Sequence, residues 1–130
     1  MPYFGRLSTQ RLSTCDERLQ DICNEAIKVY DFSVLCGHRD EIEQKKLFRE
    51  GKSKLEYPHS KHNSIPSLAV DIAPYPLIWD DFGRFKFLAG VMFAIAHSKG
   101  IRLRWGGDWD GDFDFNDQKW YDMPHFEIKE

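Results

Sequence analysis

Along the chain the hydrophobic period changes repeatedly between helical and strand spacing, and it never settles into a regular βαβ repeat. Leu19, Ile22, Cys23, Ala26, Ile27 and Tyr30 recur on one helical face, opened by Asp16 as an N-cap. Phe32, Val34 and Cys36 then alternate as a strand ended by Gly37, and Asp40 followed by Glu43 opens a second helix that Gly51 closes. Leu68 to Ile72 is a short strand-like run stopped by Pro74 and Pro76. A strong helix follows from Asp81, with Phe82, Phe85, Leu88, Ala89, Met92, Phe93 and Ala96 inward and Gly100 as its stop. Ile101, Leu103 and Trp105 alternate as another strand, and His125 to Ile128 forms the last. Such a mixture predicts an α+β fold: a small, mostly antiparallel sheet packed with helices.

Residues 52–67 and 106–119 are polar or rich in glycine and aspartate and read as long loops, which in compact domains are usually functional. The length of 130 residues predicts a single domain over 1–130. A net charge of -3 excludes a nucleic-acid binder that works by bulk positive charge. No window reaches the length of an apolar membrane span, and the N-terminus lacks the apolar core of a signal peptide, so synthesis in the cytoplasm is expected. Three cysteines, Cys15, Cys23 and Cys36, without a C-x-x-C pair, predict reduced thiols acting as small hydrophobes. Metal ligands, if any, must then come mainly from histidines and carboxylates.

Asp71 stands between Val70 and Ile72. A carboxylate buried in an apolar strand costs several kcal/mol unless it is ligated or paired. His62, Asp71 and His125 could supply the three protein ligands of a catalytic zinc site with an open position. Asp122, three residues before His125 and stiffened by Pro124, is the candidate for moving protons. The structural alternatives are a solvated His62, a salt bridge at Asp71 and an edge-strand role for His125. His59 is the competitor for a metal position; His97 near a helix C-terminus and His38, directed away from Arg39, are not expected to be ligands.

The aspartates from Asp108 to Asp117 invite a calcium reading. In an EF-hand the sixth residue is glycine and the twelfth acidic. Starting from Asp108 these are Phe113 and Lys119, from Asp110 Phe115 and Tyr121, and from Asp112 Asp117 and Met123, which excludes the motif. A non-standard calcium site, a mobile acidic lid and a solvated loop remain as readings. In the last, Trp105, Trp109, Phe113 and Trp120 pack beneath the loop or line a groove.

Several segments, in order, carry a resemblance: Val34-Leu-Cys-Gly-His-Arg39 with Gln44, Ser53-Lys54, Ser60-Lys-His62-Asn63, Pro66-Ser-Leu-Ala-Val-Asp71, Pro74-Tyr-Pro76, Arg104-Trp-Gly-Gly-Asp108 and Asp122-Met-Pro-His-Phe126. Together they resemble peptidase family M15, the zinc D,D- and L,D-peptidases of peptidoglycan stem peptides, and most of all its phage-type endolysins and L-alanyl-D-glutamate endopeptidases. The resemblance implies a hedgehog/D,D-peptidase-like fold, Zn2+ as cofactor, and His62, Asp71 and His125 as its ligands. It further implies Asp122 as general base and acid, and Arg39 facing the substrate, where a guanidinium fork can hold a carboxylate or an oxyanion. The alternative for Arg39 is an ion pair with Asp40, Glu41 or Glu43. Ser60, Gln44, Trp105 and Asp108 are the expected substrate-binding positions, with a supporting role as the alternative for Ser60 and Gln44. Eight residues separate His62 from Asp71, two more than the commonest family spacing, and the extra ones fall in the loop Asn63 to Ser67.

The implied function is hydrolysis of a stem-peptide amide in the bacterial cell wall by a monomeric, bare catalytic domain. Such a chain binds no nucleic acid, does not insert into the membrane and reaches the wall after a partner opens the inner membrane, which points to a Gram-negative host. A D-alanyl-D-alanine carboxypeptidase or dipeptidase is the nearer alternative, and a non-enzymatic, zinc-stabilised binding module the more distant one.

Overall fold

Strand β2 (Ala69–Pro74) sits inside the sheet, with Val70 and Ile72 fully buried on one face and Asp71 on the other. It pairs antiparallel with β1 (Phe32–Cys36) and with β4 (Asp122–Ile128), and β4 pairs antiparallel with β3 (Leu103–Gly106), giving the order β1-β2-β4-β3. The computed structural model describes residues 2–130. The predicted α+β fold with an antiparallel sheet is the one found.

Among the described residues four α-helices accompany the sheet: α1 (Arg6–Leu12), α2 (Glu17–Ala26), α3 (Glu41–Arg49) and α4 (Phe82–Ser98). Leu19, Ile22, Cys23 and Ala26 of α2 and Phe85, Leu88, Ala89, Met92 and Ala96 of α4 form the apolar layer. They cover Val34, Val70, Ile72, Trp105, Phe126 and Ile128 of the sheet, all essentially without exposure. Each such side chain contributes roughly 1.5–3 kcal/mol by leaving water. Phe82 departs from the expected inner face: at the first turn of α4 it is 51% exposed. Tyr30 lies beyond the end of α2, in the turn leading to β1. Among the described residues no helix is long and apolar enough to cross a membrane.

The helix signals read from sequence act as expected. Asp16 accepts from the backbone N–H of Arg18 (2.9 Å) at the start of α2, and Asp40 from that of Glu43 (2.9 Å) at the start of α3. Gly51, at φ +74, takes the left-handed conformation that ends α3. Helix α1 carries no periodic apolar face and was not expected; it is held by burial of Leu12 and by Ser8, whose hydroxyl accepts from Val34 N–H (2.9 Å). β4 begins at Asp122, earlier than the expected start at His125. Its proline is tolerated because Pro124 lies beyond the end of the β2 pairing and opposite the register shift between Trp105 and Gly106.

The cap at α2 yields a test. The Arg18 guanidinium and backbone N–H lower the Asp16 pKa, so its contribution is complete above the ordinary carboxylate range and fades as pH falls through the folded-state value. Asp16→Ala is expected to lower stability by about 1 kcal/mol at pH 7. In urea denaturation the difference from the native chain should shrink at pH 3; an equal deficit at both pH values would contradict the charge assignment.

Candidate active site

The sheet face opposite the helices forms the floor of a groove of about 790 Å³. Strand alternation puts Asp71, His125 and Glu127 on this face, and Asp71 pairs with His125 across β2 and β4. A bulge between Val34 and Cys36 turns Cys36 to the same side, opposite Asp71. His62 arrives from above on a 3-10 turn (Lys61–Asn63), which Ser60 caps by accepting from His62 N–H (3.2 Å) while Asn63 Oδ1 accepts from Ser60 N–H (3.1 Å).

Asp71 is the hub. Its Oδ1 lies 3.1 Å from His62 Nε2 and 3.2 Å from His125 Nδ1, and its Oδ2 lies 3.6 Å from Arg39 Nη2. Asp122 Oδ2 is 4.0 Å from His125 Nδ1. Two overlapping clusters share Asp71, one with Asp122 and His125 and the other with Cys36 and His62. The outer nitrogen of each imidazole is also occupied: His62 Nδ1 donates to the Gly37 carbonyl (2.7 Å) and His125 Nε2 to Glu127 Oε1 (2.8 Å). Both inner nitrogens thereby face Asp71. Two imidazoles and a carboxylate, with outer positions held, are a donor set suited to zinc.

The electrostatics point the same way. Burial pushes the His62 imidazole down, but the Asp71 carboxylate outweighs it and raises the pKa to about 10. Burial opposes ionisation of Asp71, yet His62 and His125 hold it far below the usual carboxylate range. His125 is raised despite burial by its bonds to Asp71 and Glu127. Asp122, half-buried, is raised by burial and by the Asp71 charge. The pocket attracts positive charge between its carboxylates and keeps one of them, Asp122, readier to take a proton.

Arg39 lines the groove, and the ion pair expected as its alternative, to the start of α3, does not form. Its Nη1 donates to Gln44 Oε1 (2.9 Å), and its buried Nε has no partner. Gln44 is fully buried and donates to Ser53 Oγ (2.9 Å) and the Leu55 carbonyl (2.7 Å), so it orients Arg39 and the adjoining loop and does not itself reach the groove. Ser60 lines the groove while capping the His62 turn.

Two expected contacts are corrected. Trp105 is completely buried, donates Nε1–H to the Met123 carbonyl (2.7 Å) and lies parallel to Phe126, so it supports the floor from beneath. Asp108 is buried under the 106–119 loop, accepts from Phe113 N–H (3.0 Å) and gathers with Asp110, Asp112 and Asp117, away from the groove. The aromatic wall is instead Trp109 stacked on Trp120, with ring centroids 5.6 Å apart; Arg104 lies over the first ring and Lys54 over the second. His59 lines the groove but joins none of the ligand clusters among the described residues.

Cys36 and Glu127 are site residues the sequence reading missed. Cys15 and Cys23 behave as expected, buried, with the Cys15 thiol pushed up to about 12 by desolvation. Cys36 is half-exposed beside His62 and Asp71, and only the bulge puts it there. Glu127 carried a signal: two residues from His125 on a strand, it must share its face.

This α+β fold recurs in a solved endopeptidase structure. The structure matches that of the Serratia marcescens L-Ala D-Glu endopeptidase ChiX with a TM-score of 0.79, covering 99% of this chain and 90% of that one at 24% identity. In sequence, the chain is 31% identical over 133 residues to the L-alanyl-D-glutamate peptidase of Escherichia phage T5, covering 96% of each. Residues 2–129 match the phage L-alanyl-D-glutamate peptidase family, and the chain belongs to it.

Gly37 gives a check on how the site is held. A Cβ there would lie 2.3 Å from Thr14 Oγ1 and 2.4 Å from the Arg11 carbonyl, so any side chain displaces the segment whose carbonyl orients His62. Gly37→Ala should cost about 1–3 kcal/mol of overpacking strain, read as a lower urea midpoint. An unchanged midpoint would show that this segment moves freely.

Proposed function

We propose that this chain is a zinc-dependent peptidase that cuts the peptidoglycan stem peptide between L-alanine and D-glutamate. The observation that carries the reading is the convergence of His62 Nε2 and His125 Nδ1 on one oxygen of Asp71, with both outer ring nitrogens held. The bond cut follows the family description and the name of the phage T5 relative.

His62, Asp71 and His125 would hold the zinc. When bound, zinc supplies Lewis acidity, polarising a carbonyl and lowering the pKa of water towards neutrality. Asp122 Oδ2 accepts the proton of the attacking water and returns it to the departing amine nitrogen, a role its raised proton affinity suits. Arg39, held by Gln44 in the groove lining, offers charge-assisted hydrogen bonds to a substrate carbonyl or carboxylate. The Trp109–Trp120 wall beside His125 screens that side of the groove from water.

The whole chain acts on this reading as one catalytic domain, a monomer whose partner is peptidoglycan rather than nucleic acid or membrane. Its place of action on this reading is the bacterial cell wall.

Digestion of purified peptidoglycan, with products weighed by mass spectrometry, tests the reading. New N-terminal D-glutamate is expected; release of terminal D-alanine instead would identify a carboxypeptidase. Removing the metal with a chelator should abolish turnover and zinc should restore it. Asp122→Asn should retain zinc and lose roughly 10²–10⁴-fold in kcat. Full activity in either the chelated protein or the variant refutes the mechanism.

A further inference from the structure

The buried carboxylate of Glu127 has no part in the reaction proposed above, yet it occupies the ring nitrogen of His125 that faces away from Asp71. Residues two apart on a strand share a face, so Glu127 follows His125 on the groove side of β4. Its Oε1 lies 2.8 Å from His125 Nε2. A carboxylate can only accept there, so Nε2 carries the hydrogen. The opposite nitrogen, Nδ1, looks towards Asp71 Oδ1 at 3.2 Å and Asp122 Oδ2 at 4.0 Å. A half-turn of the ring would put carbons where the two nitrogens now lie, Cδ2 towards Asp71 and Cε1 towards Glu127, and break both bonds.

Glu127 is fixed in its turn. Lys61 Nζ lies 3.5 Å from its Oε2 and Arg104 Nε 3.9 Å away, and Lys61 also donates to the Ile128 carbonyl. Lys61 directly precedes His62, so one carboxylate ties the turn bearing His62 to the strand bearing His125. Arg104 also lies 5.0 Å over Trp109, the ring that leans on His125 at 5.5 Å. The two histidines differ in one respect: Gly37 holds His62 through a backbone carbonyl, whereas His125 depends on a side chain.

Resting on the zinc reading, we infer that Glu127 is a positioning residue: it locks His125 in the Nε2–H form and presents the Nδ1 lone pair to the metal. Orienting partners of this kind typically govern metal affinity by 10–100-fold. The test uses the zinc-loaded full chain and two variants. Nitrogen-15 NMR of the His125 ring should show metal at Nδ1 and hydrogen at Nε2. Chelator competition should give Glu127→Ala a zinc Kd weakened about 10–100-fold. Glu127→Gln, whose amide oxygen can accept the same N–H, should keep most of the native affinity.

Metal at Nε2 in the native protein, or an unchanged Kd in Glu127→Ala, overturns the inference while leaving the zinc site standing. Equal weakening in both variants also overturns it, because charge rather than orientation would then be the contribution. Should Glu127→Ala fail to fold, the native ring spectrum and the Glu127→Gln affinity decide alone. A native chain that binds no zinc removes the functional reading together with this one.

Discussion

A carboxylate in the middle of a buried strand makes the strongest demand in this molecule. Asp71 is flanked by Val70 and Ile72, both without solvent exposure, on a strand with neighbours on both sides. Left alone there, its charge would cost several kcal/mol. His62, His125 and Arg39 answer it from three different elements. Each has its own support: the capped turn under His62, the Glu127 bond behind His125, and Gln44 behind Arg39. The site is therefore a set of constraints radiating from one acid, and it ties segments distant in sequence to the open face of the sheet.

How far this was legible in the sequence follows from what each signal depends on. Asp71 announced itself because an acid in an apolar strand is locally anomalous. The caps at Asp16 and Asp40 and the stop at Gly51 are short-range chemistry, and they appear where their residues predict. Helix α1 has no such signal: Ser8 and Leu12 are its only buried positions, and tertiary contact with β1 stabilises it where periodicity does not. Cys36 escaped because simple alternation groups it with Phe32 and Val34, and a single bulge reverses that grouping.

The aromatic residues show a different limit. Composition tells that tryptophans cluster in 105–120 but not which of them face the groove. Trp105, on β3, follows strand alternation into the core and is paired through its indole N–H to Met123. Trp109 and Trp120 lie in irregular backbone, where no period assigns a face. They are oriented instead by contacts with each other, with Gln118 and with the cations of Lys54 and Arg104. Asp108 illustrates the same point, since its burial depends on how the loop folds back onto Phe113.

Two glycines show how close packing beneath the groove controls the chemistry above it. The backbone of Gly106 approaches Asp122 so closely that a Cβ would lie 2.1 Å from the Asp122 carbonyl oxygen, and Gly37 meets the α1–α2 turn in the same manner. One contact sets the height of Asp122 on its strand, and the other sets the carbonyl that orients His62. Neither glycine carries a functional group, yet each fixes the position of one that does. Geometry at a centre of this kind must hold to a fraction of an ångström. The rigid pairing of backbone on backbone provides that precision, and the long polar loops remain free to shape the groove around it.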